Sequence, residues 1–344
     1  MPTQSAAERP GGAGEEPLPP LIVIAGPTAV GKTELSIRLA EAVDGEIISA
    51  DSRQVYRGMD VGTAKATPEE QARVPHHLLD ILDPDATLGA AEFQQMGYDL
   101  VDDVLARGKV PFVVGGTGQY VMAVIEGWQI PRVPPQEDLR EELYAYAEDE
   151  GHEALHARLQ ALDPVAAGRI DARNVRRVVR ALEVCLVSGR PISEQQGKQP
   201  PPYRILVLGL ERPRDVLYDR IDRRIDAMIE EGLEEEVRAL VAASYSFDLP
   251  SMSGLGYGQF EPYLAAEISL DDVVAEIARQ TRRFVRQQAN WFRDDDPRIR
   301  WLDMTEDVYD EALDLVRRFL TLPSVADPRP RDPVDGTGGP EASP

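Results

Sequence analysis

The chain has 344 residues and a formal net charge of -23 at pH 7. This length can bury a sizeable core as one large domain or two modest ones. The acidity argues against a polyanionic partner, because phosphate backbones are normally bound by basic surfaces, unless basic residues are concentrated locally.

The single cysteine, Cys185, excludes a disulfide framework and favours a reducing, cytoplasmic compartment. No apolar run approaches the ~18 residues that a membrane span needs. The amino terminus also lacks the charged and apolar regions of a secretory signal. We therefore expect a soluble protein in which Cys185 packs in the core.

Both ends of the chain, residues 1–20 and 323–344, are rich in Pro, Gly, Ser and Ala and poor in large apolar residues. Such segments cannot offset the entropy lost on ordering. We predict two disordered tails with the folded protein between them.

Apolar runs that end in small or turn-forming residues predict the strands. They are LIVIAG (21–26), EIISAD (46–51), PFVVGG (111–116) and ILVLGL (205–210), with a shorter run, RIRWLD, at 298–303. Helical patterns, KTELSIRLAEAV and AEFQQMGYDLVDDVLARG, separate the first three. Wholly apolar strands separated by helices indicate a parallel sheet covered on both faces, so the predicted fold class is α/β and doubly wound.

Residues 128–202 are predicted to form an all-helical insertion. The patterns DLREELYAYAEDEG, EALHARLQALD and RNVRRVVRALEVCLVSG follow one another there without a strand between them. The strand pattern returns at Arg204. We therefore assign 21–127 and 203–322 to one α/β domain that 128–202 interrupts.

The segment GPTAVGKT satisfies the P-loop pattern and has a strand before it and a helix after it. It comprises Gly26, Pro27, Thr28, Ala29, Val30, Gly31, Lys32 and Thr33. The glycines let the backbone curl so that N–H groups and the helix start face a phosphate. Lys32 is expected to neutralise a terminal phosphate, and Thr33 to hold Mg²⁺ through its hydroxyl. The loop predicts a diphosphate or a triphosphate ligand without distinguishing them, in a P-loop NTPase-like sheet.

Asp51 ends the second predicted strand, at the sheet edge where open α/β sheets bind ligands. A carboxylate there can hold a metal or a substrate hydroxyl, as in small-molecule kinases. It can also accept a proton from an attacking nucleophile. Capping of the following turn is the third alternative.

Six segments of the chain together resemble one known family. They are GPTAVGKT, SADSRQVYRGMDVGTAK, PHHLLD, VGGTGQY, RVVRALEV and LPSMSGLGYGQF, between about Leu21 and Asp303. In this order and spacing they resemble the tRNA dimethylallyltransferases, the isopentenyltransferases that modify adenosine beside the anticodon. The resemblance implies transfer of a dimethylallyl group from dimethylallyl diphosphate to N6 of the adenine at position 37 of tRNA. It also implies Mg²⁺, released diphosphate and a monomeric enzyme.

The resemblance implies roles for single residues in that reaction. Asp51 would remove the N6 proton as the new bond forms. Thr28 would lie between the two reactants, and Arg220 would close on the diphosphate, with Arg223 and Arg224 as neighbouring alternatives. The loop amides, its lysine and Mg²⁺ would stabilise the charge that grows on the leaving diphosphate.

By the same resemblance, two sets of residues would contact tRNA. One would receive the extruded adenine, because chemistry on a base requires it to leave the stack: Asp51, Ser52, Arg53, Gln54 and Thr117. Gln54 carries the paired donor and acceptor that could read the edge of the base. The other set lies on the basic helix: Arg176, Arg177, Val178, Val179 and Arg180.

Two arginine stripes could supply the local positive charge that RNA requires. One consists of Arg173, Arg176, Arg177 and Arg180, with valines on the opposite helix face, and the other of Arg279, Arg282, Arg283, Arg286 and Arg293. The alternative is that each stripe pairs with acidic neighbours across a helix interface.

Two other functions are compatible with the loop alone. A P-loop small-molecule or nucleotide kinase would use Asp51 to hold a hydroxyl acceptor. A nucleotide-dependent RNA-binding switch would need no catalysis, but the guanine-specific NKxD motif is missing. His152 and His156 have the spacing of helical metal ligands without an evident third ligand, and His76 and His77 have no assigned catalytic role.

Overall fold

The computed structural model describes residues 18–321. The predicted tail at 323–344, and residues 1–17 of the tail predicted at 1–20, lie outside that range. The carboxyl end of the tail predicted at 1–20 was wrongly assigned, because Pro20 already pairs with Arg204 in a parallel strand. The carbonyl of Pro19 accepts a hydrogen bond from the Arg204 N–H at 2.9 Å.

The described residues form these secondary-structure elements. The strands are β1 (Pro20–Ala25), β2 (Gly45–Ser49), β3 (His76–His77), β4 (Val110–Gly115), β5 (Trp128–Gln129), β6 (Gly197–Lys198), β7 (Arg204–Glu211) and β8 (Ile299–Asp303). The helices are α1 (Lys32–Val43), α2 (Pro68–Arg73), α3 (Ala90–Ala106), α4 (Gly118–Glu126), α5 (Glu137–Glu150), α6 (His152–Leu162), α7 (Pro164–Ala167), α8 (Val175–Ser188), α9 (Ile192–Gln195), α10 (Arg214–Glu230), α11 (Leu233–Ala242), α12 (Glu261–Leu264), α13 (Leu270–Gln288) and α14 (Tyr309–Thr321).

The central sheet is parallel throughout, with the strand order β3-β2-β4-β1-β7-β8. Alternate residues of β1 pack on opposite faces: Ile22 and Ile24 lie in the cluster that contains α1 and α10, whereas Leu21 and Val23 lie with α3 and α4. Both faces are therefore covered, and the predicted doubly wound α/β fold is confirmed. The two-residue strand β3 was not predicted, because two residues carry no periodicity.

The topology brings the predicted site together at one edge of the sheet. The 26–33 loop follows β1, Asp51 follows β2, and Thr117 follows β4. Since β2, β4 and β1 are neighbours and parallel, their carboxyl ends meet at the same edge. Residues distant in sequence thus become neighbours there.

Helices α5 to α9 pack around a cluster of their own that includes Leu143, Leu155 and Leu182. The prediction of helices without strands in this segment was wrong in one respect. Strands β5 and β6 pair antiparallel, Trp128 with Lys198, and join the two ends of the segment. Strands of two residues are too short to leave an apolar pattern. The domain boundaries at 127 and 203 stay a prediction. None of the helices within residues 18–321 is long and apolar enough to cross a membrane.

A buried carboxylate connects α8 to α5 and to the segment before it. Glu183 is fully buried and accepts hydrogen bonds from Arg140 Nε and from the Gln136 N–H, both at 2.8 Å, and also from Arg180. Burial alone would raise the pKa of Glu183, but the hydrogen bonds from Arg140 and Arg180 outweigh it, and the pKa lies below its ordinary value.

We predict that Glu183→Gln lowers the free energy of unfolding by about 1–3 kcal/mol, because it leaves two guanidinium groups without their buried carboxylate. Since the folded pKa is lowered, the contribution is complete above the ordinary Glu pKa and is lost as the pH falls through the folded value. Urea unfolding of Glu137→Gln is the control. Glu137 is exposed, and its carboxylate lies 3.7 Å from Arg140 Nη1, which is too long for a hydrogen bond. Its expected change is below about 0.5 kcal/mol, and equal losses in the two variants would contradict this role for Glu183.

Candidate active site

The 26–33 loop curls tightly between β1 and α1. Gly26 has φ 155° and Gly31 has φ 113°, both outside the range that other residues adopt readily. A Cβ atom on Gly26 would lie 2.6 Å from the Leu210 carbonyl of β7. Lys32 Nζ donates to the carbonyls of Gly26 at 3.1 Å and Pro27 at 2.8 Å. The lysine side chain is therefore held against the first residues of its own loop.

Three arginines contact consecutive residues of this loop. Arg224 Nη1 donates to Thr28 Oγ1 at 3.3 Å, Arg220 Nε to the Ala29 carbonyl at 2.7 Å, and Arg212 Nε to the Val30 carbonyl at 3.0 Å. Sequence reasoning favoured Arg220 and kept Arg224 as an alternative, and the structure brings both to the loop. Sequence reasoning missed Arg212, although its position two residues after a predicted strand was a usable signal.

Arg223, the other alternative, lies away from the loop. It is exposed, and its Nε donates to the Asp219 carbonyl of its own helix. Its side chain therefore belongs to the solvated face of α10.

Two cations of the site, Lys32 and Arg224, interact with one carboxylate, that of Asp51. Removal from water lowers the pKa of Lys32 to about 8, an effect that Asp51 opposes and Arg224 reinforces. Removal from water also lowers the pKa of Arg224, and Asp51 again opposes the shift. The charges of all three residues therefore act on one another. With both cations protonated, the group carries one net positive charge, which suits an anionic ligand.

Asp51 has one engaged oxygen and one free oxygen. Its Oδ1 accepts the Arg53 N–H at 2.9 Å, so the carboxylate caps the turn that follows β2. The second oxygen makes no hydrogen bond within residues 18–321. The turn-capping role is thus present, and it leaves an acceptor for another use.

Thr117 lies against the same turn. Its Oγ1 accepts the Ser52 N–H at 3.0 Å and lies 3.3 Å from Ser52 Oγ. The approach is close because Gly115 has no side chain: a Cβ there would lie 2.1 Å from the Ala50 carbonyl. The structure therefore brings together Asp51, Ser52 and Thr117, as the sequence analysis expected.

A cavity of about 50 Å³ opens between α1 and the ends of β2 and β4. Its lining includes Lys32, Thr33, Asp51, Gln54 and His76. The carboxylate, the lysine and the threonine hydroxyl of the candidate site thus border one space.

Two of the residues expected to contact the adenine are engaged within the protein. Gln54 accepts from Ser49 Oγ at 2.9 Å and donates to the Ala64 carbonyl at 3.1 Å, so it could read a base only in exchange for these bonds. Arg53 donates to the carbonyls of Pro250 and Ser251. Both side chains hold the turn in place.

The first arginine stripe divides into paired and free members. Arg173 pairs with Asp171 at 2.8 Å, and Arg180 pairs with Glu183. Arg176 and Arg177 are exposed, and neither side chain has a partner within the described part of the chain.

The inclusion of Val178 and Val179 among the tRNA-contacting residues needs correction. Their side chains are 0% and 1% exposed and lie in the core of the helical segment. They face away from the arginines, so no surface contact is open to them.

Among the described residues, most members of the second stripe have partners, but only Arg282 has its acidic partner across a helix interface, on α10, as the alternative expected. Ion pairs join Arg279 to Glu276, Arg282 to Asp222 and Arg293 to Asp295, and Arg286 donates to the Tyr218 hydroxyl at 3.0 Å. Arg283 is exposed and has no partner within residues 18–321.

The histidines do not form a metal site in the described residues. His156 Nε2 lies 3.1 Å from the Ala167 carbonyl and 2.9 Å from that of Ile170. His77 lies 2.7 Å from Glu46, and His76 Nδ1 lies 2.7 Å from the Val74 carbonyl. Within residues 18–321 no group of three or more His, Cys, Asp or Glu side chains could hold a metal ion.

Sequence reasoning also missed Gln288, near the end of α13. Its side chain is buried and bridges the Thr28 N–H and the Gly116 carbonyl, at 3.0 and 2.9 Å. The partners lie 260 and 172 residues away in the chain, so no local pattern could have found them.

Comparisons with known proteins agree with one another. A family model described as IPP transferase matches residues 54–295. A tRNA dimethylallyltransferase of Roseiflexus sp. (strain RS-1) is 54% identical over 80% of this chain and 90% of its own length. One of Chloroflexus aurantiacus is 56% identical over 79% of this chain and 92% of its own.

Solved structures give the same result. A tRNA isopentenylpyrophosphate transferase from Bacillus halodurans matches with a TM-score of 0.65 and 42% identity, over 88% of this chain and 96% of its own. A eukaryotic dimethylallyltransferase, described as acting on tRNA, matches with a TM-score of 0.72 and 27% identity, over 87% of this chain and 77% of its own. By sequence and by structure, the chain belongs to the IPP transferase family.

Proposed function

We propose that this protein is a cytoplasmic, monomeric enzyme that transfers a dimethylallyl group from dimethylallyl diphosphate to tRNA. The acceptor is N6 of the adenine at position 37, next to the anticodon, and the product is N6-(dimethylallyl)adenosine. The observation that carries the proposal is the free oxygen of Asp51 beside Lys32 and Arg224, in a family whose members are named for this transfer.

The proposed reaction is a single displacement. The exocyclic N6 attacks the allylic carbon of the donor, the bond from that carbon to the diphosphate oxygen breaks, and diphosphate leaves with the electron pair. N6 is a weak nucleophile because its lone pair is delocalised into the ring. The free oxygen of Asp51 takes the N6 proton as the new bond forms.

The leaving diphosphate is stabilised at the 26–33 loop. Its charge grows as the bond breaks, so preorganised donors lower the barrier most where they face that oxygen. Lys32, Arg220 and Arg224 supply charge, and loop N–H groups at the start of α1 supply donors. Thr28 Oγ1 accepts a hydrogen bond from Arg224, and we assign this hydroxyl to the junction of donor and acceptor.

Thr33 is the residue that we assign to Mg²⁺. Its side chain is exposed at the edge of the cavity, and its hydroxyl has no hydrogen-bond partner within residues 18–321. Mg²⁺ commonly takes one or two protein oxygens and completes its shell with phosphate oxygens and water, so this sparse donor set fits it. When bound, the ion would neutralise charge on the leaving group.

The tRNA is proposed to lie across two regions. Ser52 and Thr117 border the place of the extruded adenine, next to Asp51. Arg176 and Arg177 contact the phosphate backbone from the surface of α8. Neither has an acidic partner within residues 18–321, which supports this assignment, because a paired arginine would have to give up its carboxylate to bind phosphate.

The direct test incubates the purified protein with Mg²⁺, dimethylallyl diphosphate, ATP and tRNA that lacks the modification. We expect one dimethylallyladenosine and one diphosphate per turnover, measured by mass spectrometry of nucleosides and by a diphosphate assay. Transfer of the ATP γ-phosphate to an acceptor, with no modified base, would instead establish the kinase alternative.

We predict that Asp51→Asn lowers kcat by about 10²- to 10⁴-fold, because the amide cannot accept the N6 proton. Its Oδ1 can still accept the Arg53 N–H, so the turn should persist and the Kd for tRNA should change by less than about threefold. Single-turnover kinetics and filter binding measure the two quantities. Turnover close to that of the wild type would exclude Asp51 as the base.

We predict that the double change Arg176→Ala and Arg177→Ala weakens tRNA binding about tenfold at moderate salt, because two phosphate contacts are lost. The slope of log Kd against log salt should fall by about one to two. Arg173→Ala is the control: it removes a nearby charge from the same stripe, but one already paired with Asp171. If the double variant behaved like Arg173→Ala, the two free arginines would not be the RNA contact.

A further inference from the structure

The side chain of Gln288 connects the 26–33 loop to the turn that follows β4. It is 4% exposed, and both ends of its amide are used. Its Oε1 accepts the Thr28 N–H at 3.0 Å, and its Nε2 donates to the Gly116 carbonyl at 2.9 Å. One planar group therefore spans the distance between the 26–33 loop and the turn after β4.

Each end of this bridge leads to a different substrate of the proposed reaction. On one side, Thr28 contacts Arg224 within the diphosphate cradle. On the other side, Gly116 precedes Thr117, which holds Ser52 at the place of the adenine. A Cβ on Gly116 would lie 2.6 Å from Gln288 Nε2 and 3.5 Å from Lys32 Nζ, so the amide, the glycine and the lysine meet closely.

The chain that follows Gln288, the last residue of α13, packs against the start of α4. The Trp291 N–H donates to the Gln288 carbonyl at 3.0 Å, and the Trp291 ring covers Gly118, the first residue of α4. The Trp128 ring lies beside it, with the centroids 6.2 Å apart. The backbone next to Gln288 is therefore packed against the helix that begins after Thr117.

We propose that Gln288 is a positioning residue that couples the diphosphate cradle to the adenine site. An amide of fixed length keeps both hydrogen bonds only at one separation of the two loops, because hydrogen bonds weaken steeply once stretched or bent. A ligand that orders either loop thereby holds the other in its binding geometry. The coupling must be reciprocal, since each ligand raises the affinity of the other by the same factor. The inference rests on the proposed function for the identity of the two ligands.

The test measures the coupling as a ratio of dissociation constants. The Kd of an anticodon stem-loop RNA is determined with and without saturating Mg²⁺ and pyrophosphate. For the wild type we expect pyrophosphate to tighten RNA binding at least about fivefold. In Gln288→Met, which keeps the length of the side chain and removes both hydrogen bonds, the ratio should fall close to one.

Two further variants keep the test decisive. Gln287→Met, at the exposed neighbouring position, is the matched control and should retain the wild-type ratio. Gln288→Glu keeps the acceptor for Thr28 and loses the donor to Gly116, so it tests the bridge even if Gln288→Met does not fold. Its ratio should also approach one.

A wild-type ratio of one, or an unchanged ratio in either Gln288 variant that folds, would overturn the inference. These experiments measure binding of RNA and of pyrophosphate, so a failure of the coupling role of Gln288 can be distinguished from a failure of the proposed function. Intact binding of both ligands without coupling counts against Gln288 alone. A wild-type protein that bound neither RNA nor pyrophosphate would instead contradict the proposed function.

Discussion

The cluster of Lys32, Arg224 and Asp51 at the carboxyl edge of the sheet is the constraint on which the site depends. Two half-buried cations share one carboxylate, and removal from water lowers the pKa of both cations. An uncompensated charge of this kind destabilises the folded protein unless a ligand balances it. The 26–33 loop, with its N–H groups and flanking arginines, is built to receive that ligand as an anion.

The same charge argument reconciles an acidic protein with an RNA substrate. The formal charge of -23 repels polyanions at long range, and ion pairs neutralise most arginines of the two stripes. Within the described residues, Arg176, Arg177 and Arg283 are the stripe members left without a partner. Binding then depends on a few unpaired charges in a repelling surface, which favours an RNA of matching shape over nucleic acid in general.

The sequence predicted those parts of the molecule that depend on neighbouring residues. Strand β1, the 26–33 loop and α1 follow from an apolar run, two glycines and a helical period, and the parallel sheet then places Asp51 and Thr117 beside the loop. It did not predict β3, β5 or β6, which are too short to show a period. It also missed Arg212 and Gln288, whose loop partners lie 182 and 260 residues away. The sequence also could not predict the hydrogen bonds that Gln54 makes within the protein. Its partners are backbone carbonyls and a serine that only the folded turn brings close.

Calorimetry of pyrophosphate binding between pH 6.5 and 9.5, in buffers of different ionisation enthalpy, tests the central claim most directly. An anion favours protonated Lys32, whose pKa is about 8 in the free protein. Binding should therefore take up a proton above that pH, and the affinity should fall by up to about tenfold per pH unit. Lys32→Arg carries a charge that does not titrate in this range, so it should show only the pH dependence of pyrophosphate itself. Identical profiles for the wild type and Lys32→Arg would show that the lysine charge does not hold the diphosphate.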